Sequence, residues 1–207
     1  QQFDVFYGGG EANVASTLAQ FGANSWFVTR LPKHEIGEAA LNALRRYGVR
    51  TEAIVRGGDR LGIYFLETGA SQRASKVIYD RAGSALAEIQ PGMIDWDAAF
   101  NGATWFHWTG ITPAISEGAA QTCLEAVRTA REMGLTVSCD LNFRKKLWRW
   151  RQGTDPRALA RECMSKILAH VDLAVANEVS GTTTVFLNTD STPFHRTTSS
   201  CSPAGTL

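Results

Sequence analysis

The stretch SEGAAQTCLEAVRTAREMGLTVSCDLNFR (Ser116–Arg144) decides the fold class. Ser116 stands where a helix N-cap belongs, and Cys123, Val127, Ala130 and Met133 recur at the spacing of one helical face. Gly134 then offers the left-handed position at which helices stop, so a long helix is predicted. The run that follows, Leu135–Cys139, is short and apolar and reads as a strand. Asp140, Asn142 and Arg144 come directly after it, at the carboxyl end of that strand, which is where open α/β sheets bind ligands. The plainer reading of Asp140 is a residue that caps a turn.

Working outward, the same alternation repeats. Asp155-Pro156 is an N-cap with proline at the first helical position, Leu159, Cys163, Ile167 and Val171 form a helical face, and Leu173–Ala176 is a strand. Upstream, Thr104–Trp108 reads as a strand. At the start, Gln1–Tyr7 alternates apolar and polar residues and predicts a strand that enters the Gly8-Gly9-Gly10 turn. A helix should follow with Val14, Leu18 and Phe21 on its buried face and Gly22 as its stop, then a strand over Ser25–Thr29. The next helix carries Leu41, Leu44 and Tyr47 on one stripe and ends at Gly48. Strands alternating with helices predict an α/β protein with a parallel, doubly wound sheet.

Two regions break the pattern. Between Thr51 and Arg81 the helical period disappears, and Leu61–Glu67 and Lys76–Tyr79, joined by a polar turn at Gly69–Arg73, predict a β-hairpin flap outside the main sheet. From Ser180 to Leu207 the chain is rich in serine and threonine without amphipathic period, so little stable structure is expected over 179–207. Such a change where a helix is due fits a truncated or frame-shifted end, or a natural tail.

With 44% hydrophobic residues, 20% charged residues and a formal charge of +1, the composition excludes a basic nucleic-acid footprint and an acidic disordered chain. No apolar run is long enough to span a bilayer, and the four cysteines, Cys123, Cys139, Cys163 and Cys201, lack zinc-site spacing. Reduced, mostly buried thiols, a cytoplasmic address and no nucleic-acid or membrane partner are expected.

Gly8-Gly9-Gly10-Glu11-Ala12-Asn13-Val14-Ala15 places glycines where a strand turns into a helix, so backbone N–H groups can face a polar ligand, with a simple turn as the alternative. This segment, followed by a helix ending Phe21-Gly22, resembles the first signature of the PfkB-type, ribokinase-like carbohydrate kinases. Further matches are Leu31-Pro32 to Gly37, Tyr47-Gly48-Val49 and Gly62-Ile63-Tyr64-Phe65, and together the resemblance covers about Phe3 to Glu178. Four segments, Gly62–Glu67, Val77–Ala85, His107–Ala114 and Asp140–Trp148, are most similar to kinases of 2-keto-3-deoxygluconate. The resemblance implies a three-layer α/β/α fold with a small β-flap as lid over residues 1–178, and ATP and Mg²⁺ as cofactors. It also implies sugar contacts by Gly9, Gly10, Asn13, Tyr64, Tyr79, Arg81, Ile111 and Arg144, to which the strand-end position adds Asp140 and Asn142, and a nucleotide contact by Asn177.

Chemistry supports that assignment. A 2-keto acid carries a carboxylate, which guanidinium groups bind through paired, charge-assisted hydrogen bonds that lysine cannot copy. Tyrosines on a flap add apolar area and a hydroxyl. Taken alone, Arg81 and Arg144 would read as solvated surface charges. The expectation is that both converge with the glycine turn on one cavity for an anionic sugar, with a homodimer formed through the flap.

Departures from the family pattern set the competing expectations. The family's Leu-Gly-x-Asp reads Leu31-Pro32-Lys33-His34 here, and its Asn-x-x-Glu element, tied to Mg²⁺ and phosphates, has Asn177 but ends in Ser180. The second signature, a Gly-Ala-Gly-Asp turn bearing the catalytic aspartate, is not found, and Gly57-Gly58-Asp59 reads as an ordinary turn. The chain is therefore expected to be incomplete at both ends, with the C-terminal part of the fold missing and no catalytic residue of its own. It should be inactive by itself, with a kinase of a neutral sugar or a non-catalytic sugar-binding fragment as alternatives.

Overall fold

The computed structural model describes residues 3–144 and 146–177 and, beyond them, the strand backbones at 183–187 and 195–198. The chain forms two compact units, Gln1–Ala99 and Phe100–Leu207.

In the first unit, helix α1 (Gly10–Gln20) is followed by strand β1 (Arg30–Leu31), helix α2 (Glu35–Arg46) and strand β2 (Val55–Arg56). β1 and β2 pair in parallel, and the ladder begins earlier at a bridge between Trp26 and Arg50. The strand predicted over Ser25–Thr29 is thus displaced toward Leu31. Phe27 and Val55 keep its hydrogen bonds going, but the turn closed by Ile54 N–H on Thr51 carbonyl interrupts the partner side. Helix stops fall at the expected glycines, with Gly22 at φ 85° and Gly48 at φ 82°. The core gathers Ala15, Leu31, Leu41, Leu44, Val49 and Ile54, with Ala12 and Ala19 packed against it.

Two expectations fail here. The buried face of α1 is the alanine stripe Ala12, Ala15 and Ala19, and Val14, Leu18 and Phe21 face solvent, Phe21 at 83% exposure. Ala12, Ala15 and Ala19 follow the same helical spacing as the larger residues, and small side chains let a helix approach its neighbours closely. Residues 3–7 pair with no strand among the described residues. A strand needs a partner for its backbone groups; this segment is held instead by a side-chain contact, Phe3 meeting Phe65 edge-on at 6.0 Å.

The hairpin forms as expected. Strands β3 (Ile63–Glu67) and β4 (Lys76–Asp80) are antiparallel, with Tyr64 opposite Tyr79. All five β3 residues are exposed. A short helix α3 (Trp96–Phe100) follows.

In the second unit, strand β5 (Trp105–Thr109) leads through the short helix α4 (Thr112–Ile115) to α5 (Glu117–Glu132), then β6 (Thr136–Asp140), α6 (Pro156–Leu168) and β7 (Leu173–Asn177). β5, β6 and β7 are parallel neighbours in that order. The caps are those predicted: Ser116 Oγ accepts from Ala119 N–H, and Asp155 accepts from Arg157 and Ala158 N–H. A satellite core joins Ala114, Trp148, Leu159 and Ala160. Cys123 and Cys139 are buried free thiols and Cys163 is half-buried, while Cys201 lies outside the described residues. Burial pushes the Cys139 thiol up to about 12, so it is inert at neutral pH.

The sheet continues through β8 (Thr183–Leu187) and β9 (His195–Thr198), antiparallel to β7 and to each other. These strands differ from the expectation of little structure over 179–207. The β-branched and aromatic run Thr183-Thr184-Val185-Phe186 suits a strand once β7 offers an edge. Among the described residues no helix is long and apolar enough to cross a membrane.

Candidate functional site

The residues predicted from sequence fall into three local settings, two in the first unit and one in the second. The glycine turn runs into α1 with Gly9 as its N-cap, whose carbonyl accepts from Asn13 N–H at 2.9 Å. Gly9 has φ 165°, extended backbone open to any residue, and a Cβ on Gly9 or Gly10 would meet no closer atom than Ala12 Cβ at 3.9 Å. Neither backbone nor packing within the protein demands glycine there, so the space beside the turn is open. Asn13 is exposed.

The hairpin base is the second setting. Tyr64 and Tyr79 are cross-strand partners, and the Arg81 guanidinium lies 5.0 Å from the centre of the Tyr79 ring, a cation–π stack. Elsewhere in this unit Arg30, Arg45, Arg50, Arg56, Arg60 and Arg73 each pair with a carboxylate. Among the described residues no acid pairs with Arg81. A half-buried guanidinium on an aromatic face, with its N–H fork uncommitted to protein carboxylates, suits an anionic ligand.

The second unit holds the carboxyl ends of β5 and β6. Thr109 and Asp140 are register partners there. Asp140 Oδ1 accepts from Asn142 N–H at 3.1 Å, and Asn142 Nδ2 donates to Thr109 Oγ1 at 3.4 Å. Asn142 has φ 36°, a left-handed conformation that asparagine tolerates better than most residues. Asp140 thus does make the turn that the plainer reading assigned to it, and in doing so it orients Asn142. Ile111 precedes α4, half-buried, with its N–H 3.5 Å from Thr109 Oγ1. Arg144 is exposed and donates to the Phe143 carbonyl at 3.2 Å.

Asn177 ends β7, and of it only the backbone is described; Ser180 lies outside the described residues. Among the described residues no three His, Cys, Asp or Glu side chains come together as a metal site would need. Beneath the β5–β6 rim, Ser138 Oγ accepts from Trp105 Nε1 at 2.7 Å and lies 2.8 Å from His107 Nδ1. Burial lowers the His107 pKa, partly countered by Asp140.

Sequence reasoning missed two residues. Gly110 follows β5, and a Cβ there would lie 2.0 Å from the Leu141 carbonyl oxygen, so only glycine lets the two strand exits cross this closely. Its signal was a glycine immediately after an apolar strand. Arg60 follows the Gly57-Gly58-Asp59 segment, whose sequence reads as an ordinary turn. A cavity of about 370 Å³ in the first unit, lined by Trp26, Glu52, Ile54, Met93 and Asp95 among others, contains none of the predicted residues.

The chain is 37% identical over 172 residues to 2-dehydro-3-deoxygalactonokinase of Haloferax volcanii, covering 82% of this chain and 51% of that protein. It is 29% identical over 142 residues to 2-dehydro-3-deoxygluconokinase of Bacillus subtilis, covering 68% and 43%. The chain therefore spans about half the length of these relatives. The solved structure of 2-dehydro-3-deoxygluconokinase from Thermotoga maritima superposes with a TM-score of 0.71 at 37% identity, covering 95% of this chain and 73% of that one. Residues 1–182 match the model of the pfkB family carbohydrate kinases, and the chain belongs to that family.

Proposed function

We propose that this chain carries the sugar-binding apparatus of a kinase that transfers the γ-phosphoryl group of ATP to the primary hydroxyl of a 2-keto-3-deoxy sugar acid, 2-keto-3-deoxygluconate in the first instance. The observation that carries this reading is Arg81, stacked on Tyr79, with Tyr64 across the hairpin and no acidic partner among the described residues. Its guanidinium binds the substrate carboxylate, and the tyrosines supply apolar contact and hydroxyls for the sugar. In the second unit, Arg144 is a further candidate for binding an anion, Asp140 and Asn142 for binding hydroxyls, and Ile111 for apolar lining. Gly9, Gly10 and Asn13 offer the sugar open backbone. ATP supplies the phosphoryl group, with Asn177 as the nucleotide contact, and Mg²⁺ would accompany it as the family implies. Relatives named as galactono- and gluconokinases favour the sugar-acid class without choosing the epimer.

Calorimetric titration with 2-keto-3-deoxygluconate, its galactonate epimer and fructose tests the reading. Binding of one or both acids and not of fructose is expected, and Arg81→Ala should weaken acid binding roughly 10- to 100-fold, the scale of a lost charge-assisted hydrogen bond. Equal binding of fructose and the acids would point to a neutral-sugar kinase instead. The exposed apolar residues Ile63, Tyr64, Phe65, Leu66 and Ile78 support self-association through the hairpin, which sedimentation measurements on the chain and on a Phe65→Asp variant would test.

A further inference from the structure

Arg60 reaches from the Gly57-Gly58-Asp59 turn to the end of β4. Its Nη1 lies 2.9 Å from Asp80 Oδ1 and its Nη2 2.7 Å from Asp80 Oδ2, a fork-to-fork pair. The same guanidinium donates to the Ala82 carbonyl at 2.9 Å and to the Asp80 carbonyl at 3.3 Å. Arg60 therefore holds the residues on both sides of Arg81. Its own backbone is anchored in turn, since the Arg60 carbonyl accepts from Ala85 N–H at 2.8 Å. Gly58, at φ 77°, packs so closely on Ala85 that a Cβ would lie 2.9 Å from Ala85 Cα. The Arg81 carbonyl accepts from Ser84 N–H at 3.2 Å.

We propose that Arg60 is a positioning residue for ligand binding: its planar fork fixes the backbone around Arg81 and occupies the Asp80 carboxylate, leaving the Arg81 guanidinium stacked on Tyr79 and available to an anion. The proposal deepens, and rests on, the assignment of Arg81 to the substrate carboxylate. Two physical effects operate. The first is geometric: one planar group satisfies a carboxylate and two carbonyls at once, which a lysine ammonium, a point charge without a fork, cannot do. The second is electrostatic. An unclaimed Asp80 carboxylate beside Arg81 would compete with the substrate for that guanidinium and repel the substrate anion. Hydrogen bonding from Arg60 holds the Asp80 carboxyl below its ordinary pKa, so Asp80 stays ionised and bound to Arg60.

The test is calorimetric titration of the full chain with 2-keto-3-deoxygluconate, using the parent, Arg60→Lys, Asp80→Asn, Arg81→Ala and the Arg60→Lys/Arg81→Ala double variant, with thermal unfolding followed in parallel. Arg60→Lys should weaken binding roughly tenfold and Asp80→Asn by less, since it breaks the fork but also removes the competing charge, and the double variant should bind no more weakly than Arg81→Ala alone, the non-additivity of residues acting through one group. Arg81→Ala binding as tightly as the parent would sink the sugar-acid reading and this proposal with it. Weakening by Arg81→Ala without weakening by Arg60→Lys and Asp80→Asn would overturn the positioning role alone. So would a double variant whose loss is the sum of the single losses, since that is what general destabilisation predicts.

Discussion

The β3–β4 hairpin and the β5–β6 ladder are both built from five-residue strands in one-to-one register, yet they are held together differently. In the ladder, Trp108, Val137 and Cys139 are buried and the parallel strands are backed by α5, whose Ala126, Val127 and Ala130 are also buried. In the hairpin every β3 side chain is exposed, and its stability comes from backbone bonds, the Arg60 fork, the Arg73–Glu67 pair and the Phe3–Phe65 contact. The ladder is a packed scaffold, whereas the hairpin keeps its tyrosines and Arg81 accessible at the expense of burial. Regions with few buried contacts are also those that open most easily.

The sharpest way to break this contrast is to make the same truncation in the hairpin and in the packed interior of the second unit. Leu159, fully buried against Trp148 and Ala114, should cost about 3 kcal/mol on replacement by alanine, the sum of lost transfer free energy and cavity. Leu66 is 57% exposed on β3, and Leu66→Ala should cost less than about 0.5 kcal/mol. Chemical denaturation of both variants measures the difference, and equal losses would mean that the hairpin is packed as tightly as the scaffold.

Two glycines allow a subtler comparison. A Cβ at Gly110 would lie 2.0 Å from the Leu141 carbonyl oxygen, and one at Gly69 2.1 Å from the Arg73 carbonyl oxygen. The overlaps are nearly equal, but Gly110 is buried between strand exits while Gly69 sits in a turn whose neighbours are exposed. Gly110→Ala should therefore cost about 2–3 kcal/mol, on the scale of overpacking a rigid interior, and Gly69→Ala about 1 kcal/mol or less as the turn shifts. Gly110→Ala should also disturb the Thr109–Asn142 bond, which the amide signals of Asn142 would report.

The same contrast explains what the sequence disclosed. Helix periods, caps and stops around Ser116, Gly134, Asp155 and Gly48 are local rules, and these elements formed where expected. The hairpin was legible because alternation and a polar turn are local too. What escaped was tertiary. The choice of Ala12, Ala15 and Ala19 over Val14, Leu18 and Phe21 as the buried face of α1 depends on how closely α1 approaches its neighbours, not on hydrophobicity alone. Residues 3–7 have the composition of a strand, but strand formation requires an edge to join. Of the candidate site, the residue types were readable from their motifs. The Arg60 fork was not, because it links positions 20 residues apart through a turn that reads as generic.

The smallest expected effect distinguishes the two regions by pH. His107 belongs to the ladder, where burial lowers its pKa and Ser138 Oγ sits 2.8 Å from Nδ1. A histidine whose folded pKa lies below its unfolded value near 6.5 contributes its full stability above that value and loses it as pH falls through it toward the folded pKa, because the unfolded chain takes up the proton more readily. The melting temperature should therefore drop between pH 7 and pH 5.5, and His107→Gln should show a smaller drop over the same interval. His170, whose pKa burial also lowers, titrates in both proteins and cancels in the difference. On the hairpin, Arg60 holds the Asp80 carboxyl below its ordinary pKa, so Asp80 stays ionised across this range and contributes no comparable change. An identical pH response in the parent and in His107→Gln would mean that the imidazole is not held neutral by the ladder, and the contrast would then rest on packing alone.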